Sequence, residues 1–324
     1  MKIFPLKLER VAVKYPKVVE WQLGNTCNYN CHFCPSHIKD GSLKWIDVEH
    51  VERVCQTLID SSADQQIKFL FTGGEPTLHR DINRILKFIS DRGHITALHS
   101  NGSRTIRYWK ELADLDILNI LPLSLHLHQG ADLEHFKKII SNFNGTKTVV
   151  MIYIMCDINF FNECVSALEE LKSFNVLLSM RGVIIGGELD KKYSLEQLEI
   201  LQKNSLVIGE NFNKKNILNN NEINLSFSDG SNKIMKPPDI QSSPGLNRFI
   251  GWECDIGKDL LDIKYDLIYG GMCQVGGPIG TIYVGGPIGT IYDSDIKWKL
   301  DSVICDNNVC NCATDIMQPK RMIL

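Results

Sequence analysis

Between Val18 and about Leu206, short apolar runs alternate with amphipathic stretches. The apolar runs are VVEWQLG from Val18, IKFLF from Ile67, ITALH from Ile95, ILNILPLSL from Ile117, KTVVMIYI from Lys147 and VLLSMRGVII from Val176. Ile, Val, Leu and Phe dominate them with little polar alternation, as in strands buried on both faces. Helical periodicity fills the intervals. After Asp47, an N-cap residue, Val51, Val54, Cys55, Leu58 and Ile59 repeat at the spacing of one buried face. Leu133, Phe136, Ile139, Ile140 and Phe143 do the same, as do Phe161, Cys164, Val165, Leu168 and Leu171. A sixth helix starts at Ser194, with Gln197 as its capping-box partner. Six strands alternating with six helices imply an α/β fold with a parallel sheet and right-handed crossovers, open or partly closed.

The pattern changes near residue 210. NFNKKNILNNNEIN, Asn211 to Asn224, reads as a surface connection, and the turn signals Asp229-Gly230, Pro237-Pro238 and Pro244-Gly245 follow it. The expected division is a core over 1–210, a connection over 211–250 and a small α+β domain over 251–324. Within the last, VGGPIGTIY occurs twice in tandem, at Val275 to Tyr283 and Val284 to Tyr292. Two nine-residue copies are too few for a solenoid, so a local duplication lengthening one loop or hairpin is expected.

Composition narrows the class. With 44% hydrophobic and 23% charged residues over 324, the chain is that of an ordinary globular protein. A formal net charge of -3 gives no general attraction to nucleic acid or anionic membrane. No apolar run approaches the roughly 18 residues that span a bilayer. MKIFPLKLERVAVKYP lacks a signal-peptide core, so a cytoplasmic location is expected. The unusual figure is eleven cysteines. Cys27, Cys31 and Cys34 form one knot; Cys254, Cys273, Cys305, Cys310 and Cys312 lie near the other end; Cys55, Cys156 and Cys164 are scattered. Under reducing conditions such clusters point to metal before disulfides.

The knot, Cys27-Asn-Tyr-Asn-Cys31-His-Phe-Cys34, directly follows the first predicted strand. Three thiolates at this spacing can each bind one iron of a cubane. The missing fourth ligand would be a defect in a structural zinc site, but it leaves one iron of a catalytic cluster open. On spacing alone, zinc completed by His32 or His37 stays open.

With Phe33 just before its last cysteine, the knot resembles the C-x3-C-x2-C motif of the radical S-adenosylmethionine (SAM) superfamily. Thr72-Gly73-Gly74-Glu75-Pro76, at the end of the second strand, looks like that family's GGEP motif. The resemblance implies that this loop's backbone and carboxylate meet the amino group of SAM. Paired glycines allow close backbone approach, and Glu75 offers an acceptor for an ammonium. Asn101, in Ser100-Asn101-Gly102, and Ser124 resemble the family's further polar contacts to SAM, the latter to the ribose; turn formation is the alternative. The resemblance covers most of Val18 to Leu206. It implies a (β/α)6 partial barrel of the TIM type, a SAM-binding [4Fe-4S] cluster, and reductive cleavage of SAM to a 5′-deoxyadenosyl radical that takes hydrogen from a substrate.

The tail, GWECDIG through YDLIYGGMC to ICDNNVCNC, resembles the superfamily's C-terminal SPASM or twitch extension. That resemblance implies a second, auxiliary [4Fe-4S] cluster held by Cys254, Cys273, Cys310 and Cys312, with Cys305 as the spare or a further ligand. Here the hairpin turn is Asp266-Leu267 where the family has Asp-Gly. A structural zinc and solvent-exposed thiols without metal are the alternatives for this tail. Cys55, Cys156 and Cys164 read as core residues. His126 and His128, within Leu-His-Leu-His, are candidates for substrate contact or proton donation, or are structural. Arg181 either meets a carboxylate of SAM or substrate or forms a surface ion pair.

The expected partners are a small-molecule or peptide substrate, oxidised or joined by a new bond, and a one-electron donor such as a flavodoxin or ferredoxin. Only 26 residues precede Cys27, fewer than a leader-peptide-binding domain needs, which tilts the expectation toward a small substrate or a peptide presented by a separate protein. The competing class is a non-catalytic, zinc-stabilised scaffold or binding module. It explains both cysteine groups but not the glycine–glutamate loop.

Overall fold

A computed structural model describes residues 4–11, 16–62, 65–185, 188–212, 222–237, 240, 245–271, 287–298, 301–306, 309–310 and 312–323. Its first half runs β1 (Pro5–Arg10), β2 (Lys17–Gln22), α1 (Val48–Asp60), β3 (Ile67–Thr72), α2 (Ile82–Ser90), β4 (Ile95–Leu98), α3 (Ile106–Asp114) and β5 (Ile120–Leu125). Next come α4 (Leu133–Asn142), β6 (Val149–Cys156), α5 (Phe161–Leu171), β7 (Leu177–Gly182), β8 (Ile184–Ile185), β9 (Glu188–Leu189), α6 (Leu195–Lys203) and β10 (Val207–Ile208). The remainder is mainly strands: β11 (Ile223–Phe227), β12 (Asn232–Met235), β13 (Glu253–Cys254), β14 (Leu260–Lys264), β15 (Leu267–Tyr269), β16 (Gly289–Thr290), β17 (Val303–Ile304), α7 (Ala313–Ile316) and β18 (Lys320–Arg321).

The chain forms two compact units. One comprises residues 21–52 and 69–217; the other gathers 1–20, 53–68 and 218–324. In the first, the strand order is β10-β7-β6-β5-β4-β3-β2. β4 to β7 run parallel in sequence order, and β10 closes that edge antiparallel to β7. The result is an α/β unit with a mixed sheet, where the sequence suggested an all-parallel one. The last apolar run breaks into β7 and β8, which pairs with β9.

Burial is less uniform than the apolar runs imply. β4 is buried at all four positions. β6 alternates: Val150, Ile152, Ile154 and Cys156 are buried, while Met151, Tyr153 and Met155 are half-exposed on the other face. The helices follow their patterns. Ile82, Ile85, Leu86 and Ile89 of α2 are buried, Thr105 and Asp132 cap α3 and α4, and Ser194 with Gln197 forms the capping box of α6.

The second unit holds an antiparallel sheet of order β12-β11-β1-β18-β13-β17. Pairing of β1 with both β11 and β18 draws residues 5–10 into it. Its core includes Leu8, Ile223, Leu225, Phe249, Trp252 and Ile316. β14, β15 and β16 form an antiparallel meander.

Candidate metal and cofactor site

Three loops of the first unit meet around Cys27. The cysteine loop follows β2, the glycine loop follows β3, and Ser100-Asn101-Gly102 follows β4. The Glu75 N–H donates to the Thr26 carbonyl at 2.8 Å, joining the first two loops. Gly73 and Gly74 have φ of +87° and +52°. A Cβ on Gly73 would lie 1.9 Å from Gln22 Cγ, and one on Gly74 would lie 2.2 Å from the Thr26 carbonyl oxygen. Gly74 is therefore required by close packing of its loop on the backbone entering the cysteine knot, and Gly73 by its packing on the Gln22 side chain.

Glu75 is buried and its carboxylate is surrounded by donors. Oε1 accepts from the Thr77 N–H (3.1 Å), Thr77 Oγ1 (2.6 Å) and Ser100 Oγ (2.8 Å); Oε2 accepts from the Asn101 N–H (2.7 Å). Burial pushes its pKa up, and these hydrogen bonds oppose that. Here Glu75 ties two loops together, and it also caps the short turn beginning at Pro76. Asn101 extends the tie: its amide donates to Asn28 Oδ1 at 2.9 Å and lies 3.9 Å from Cys27 Sγ.

The three knot cysteines are free thiols, Cys31 buried and the others half-buried. Burial raises the pKa of each; for Cys31, with its neighbouring sulfurs adding to the effect, it reaches about 12. Three free thiols on one loop are a donor set of the kind that an iron cluster with three protein ligands takes. Lys39 anchors the loop by donating to the Cys31 carbonyl at 2.5 Å.

Aromatic rings pack beside the knot. The Phe33 ring stacks on His126, with centroids 6.0 Å apart and a 19° interplanar angle, and sits 5.0 Å from His128. His126 Nδ1 is 3.6 Å from Cys31 Sγ. Ligand atoms of Cys31, His126 and His128 lie within 4.8 Å of one another; Cys27 and Cys34 are not in that group. Of the two histidines that spacing leaves open as zinc ligands, His32 faces Asp157 at 3.5 Å, and the His37 carbonyl accepts from the Asn25 amide.

A polar row crosses the sheet from the end of β4 to β7. Ser124 Oγ shares a hydrogen bond of 2.9 Å with His99 Nε2, His99 packs edge-on against Tyr153, and the Arg181 guanidinium lies 5.1 Å over the Tyr153 ring. Burial, helped by the Arg181 charge, lowers the His99 pKa to about 4, so this imidazole is neutral at physiological pH. His99 and Tyr153 were not singled out by sequence reasoning. Their side of the strand was the available signal, because alternation in β6 places Tyr153 opposite the buried positions.

A family model of the Radical SAM superfamily matches residues 21–193. The chain belongs to the radical SAM superfamily. Radical SAM enzymes carry a [4Fe-4S] cluster, bind SAM and use a substrate and a reductant. GTP 3',8-cyclase of Actinobacillus pleuropneumoniae serotype 3 (strain JL03) is 26% identical over 240 residues, which cover 68% of this chain and 66% of that protein. The chain thus spans just under two thirds of that relative's length. A probable GTP 3',8-cyclase of Thermoplasma volcanium is 36% identical over 104 residues, 31% of this chain and 30% of that one. Among solved structures, anSMEcpe with AdoMet and Kp18Cys peptide has a TM-score of 0.53 at 16% identity, covering 86% of this chain and 78% of that one. Streptococcus suis SuiB bound to S-adenosylmethionine has a TM-score of 0.52 at 15% identity, covering 82% and 62%. At such identities the likeness is one of fold. No helix among the described residues is long and apolar enough to cross a membrane.

The second unit of this radical SAM superfamily member carries the other cysteine group. Cys254 on β13 packs with Val18, Ile256 and Leu260, and Cys310 packs with Phe249 and Trp252; Cys305 touches both clusters. Burial raises the thiol pKa values of Cys254, of Cys310 to about 12 and of Cys312 to about 11. Lys320, opposite Cys254 in the sheet register, is itself buried and donates to the carbonyls of Asp315 (2.5 Å) and Gln318 (2.8 Å). Cys273 and the first repeat copy lie outside the described residues. Cys55, Cys156 and Cys164 are fully buried.

Proposed function

We propose that Cys27, Cys31 and Cys34 hold the SAM-binding [4Fe-4S] cluster, and that the enzyme abstracts hydrogen from a small-molecule or peptide substrate, oxidising it or forming a new bond. The observation carrying this reading is the junction of the three loops around Cys27, braced by the buried Glu75 carboxylate. When bound, the cluster supplies the electron that splits the sulfonium of SAM into methionine and a 5′-deoxyadenosyl radical.

The chain's own residues do the rest. Phe33, Gly73, Gly74, Pro76 and Asn101 wall the space for SAM. Because Glu75 already accepts four hydrogen bonds, it holds the loop in shape, and the loop backbone is left to meet the ammonium. Ser124, fixed by His99, contacts the ribose side. The unit around them is proposed as the curved (β/α)6 partial barrel of the family. Solved relatives with bound peptide support a peptide substrate, and the nucleotide in the name GTP 3',8-cyclase supports a small one.

In the second unit, Cys254, Cys273, Cys310 and Cys312, with Cys305 beside the first and third, are proposed as the ligand pool of an auxiliary [4Fe-4S] cluster in a SPASM- or twitch-like domain over 251–324. The buried Lys320 ammonium supports this, since it lowers the cost of thiolate charge on Cys254 and Cys310.

The test is product formation. Anaerobically reconstituted protein with dithionite and SAM is expected to release 5′-deoxyadenosine, and Cys31→Ala to release none. Equal release by both would refute the ligand assignment.

A further inference from the structure

We propose that His126 donates a hydrogen bond from Nδ1 to the Cys31 thiolate and thereby raises the reduction potential of the SAM-binding cluster. This rests on the reading of Cys27, Cys31 and Cys34 as cluster ligands, and it assigns the imidazole a role as a positioned donor to a ligand sulfur.

The geometry is specific. Nδ1 stands 3.6 Å from Cys31 Sγ, within N–H···S reach. The ring cannot swing freely, because Phe33 stacks on one face while Tyr29 and His128 meet it edge-on at 5.8 and 5.4 Å. Tyr29 and Phe33 belong to the cysteine loop itself. The main chain is pinned as well: the His126 carbonyl accepts from the N–H groups of Gln129 and Ala131, and Gln129 Oε1 accepts from the Asn30 N–H of that loop. Strand end and knot therefore hold each other in register.

The other two sulfurs are treated differently. Cys27 Sγ accepts from the Tyr29 N–H at 3.4 Å and faces the Asn101 amide at 3.9 Å. Cys34 Sγ faces the Pro35 carbonyl. A neutral imidazole carries one N–H, and the sulfur acceptor selects the Nδ1 tautomer. His128 is the built-in contrast: it packs on the same rings, but neither of its nitrogens has a hydrogen-bond partner among the described residues.

An N–H dipole with its positive end toward the sulfur stabilises the electron-richer state, so the cluster is easier to reduce. Loss of the bond is expected to disfavour the one-electron reduction about tenfold, a shift of about 59 mV to more negative potential.

The experiment is an EPR-monitored redox titration of anaerobically reconstituted full-length protein, following the signal that SAM perturbs. His126→Phe should shift the midpoint negative by about that amount, His126→Gln should recover part of the shift through its amide N–H, and His128→Phe should stay at the wild-type value. An unchanged midpoint in His126→Phe, or an equal shift in His128→Phe, overturns the proposal. A wild-type protein with no iron–sulfur signal removes the ligand assignment first and this bond with it. Should His126→Phe fail to assemble a cluster, wild-type protein labelled with 15N-histidine decides. The reduced cluster should show a histidine nitrogen coupling, and its absence refutes the bond.

Discussion

Glu75 is 1% exposed and accepts from three residues on two loops. Replacing it with Ala leaves the Thr77 and Asn101 N–H groups buried without their acceptor, and each such group costs about 1–3 kcal/mol. Glu75→Ala is therefore expected to lower stability by about 3 kcal/mol and to abolish SAM cleavage, as read by thermal melts and 5′-deoxyadenosine assay; an unchanged melting temperature would contradict the tie. Asp262 is the opposite case. Burial raises its carboxyl pKa to about 7, although Lys264 lies 2.9 Å away and opposes the shift. A folded-state pKa above the ordinary value means the folded state binds the proton more tightly. Its stabilising contribution is full below the unfolded pKa and is lost as pH rises through 7. Asp262→Asn should therefore be more stable than wild type at pH 8, with the difference vanishing toward pH 4. Melts in which the two proteins differ equally at both values would exclude this. At this scale the sequence was most legible where chemistry is local. Cys27, Cys31, Cys34 and the glycine loop announce themselves by spacing. The saturation of Glu75 and the approach of His126 to Cys31 depend on partners 25 and 95 residues away, and no local pattern encodes them.

Among the elements, the helices were the most readable, because caps and the 3.6-residue period are both local signals: Ser194 and Gln197 form the capping box their spacing suggests. Strand faces were less so, since an apolar run such as that of β6 does not reveal that one side is buried and the other only partly so. The glycine loop shows how an element can depend on one backbone torsion. Gly74→Ala would place a Cβ against the Thr26 carbonyl at positive φ, pushing apart the loop and the segment entering Cys27. Iron per chain after reconstitution is expected to fall at least severalfold, and wild-type iron content would refute the packing role. The tandem repeat makes a different prediction. In the second copy, Gly289–Thr290 pairs with β15 and Ile291 is buried. Because the copies are identical, deletion of Val275 to Tyr283 leaves the same residues to form that edge. Folding and iron content should survive the deletion, and loss of iron from the second cysteine group would contradict it.

For the whole molecule, the interleaving of the two units was the least legible feature. β1 pairs with strands more than 200 residues away, and antiparallel partners at that separation leave no periodic trace in sequence. The two cysteine groups fall in different units, Cys27 to Cys34 in one and Cys254, Cys305, Cys310 and Cys312 in the other. Two cubanes would give about eight iron per chain. Cys254→Ala with Cys310→Ala should reduce this by about half while the SAM-perturbed EPR signal remains. The central claim, a three-thiolate cluster with one iron open to SAM, is tested most directly by the EPR spectrum of the anaerobically reduced enzyme before and after SAM is added. A change in the g-values of a [4Fe-4S] signal, absent in Cys31→Ala, is the predicted result; a spectrum indifferent to SAM, or a colourless protein carrying only zinc, would contradict it.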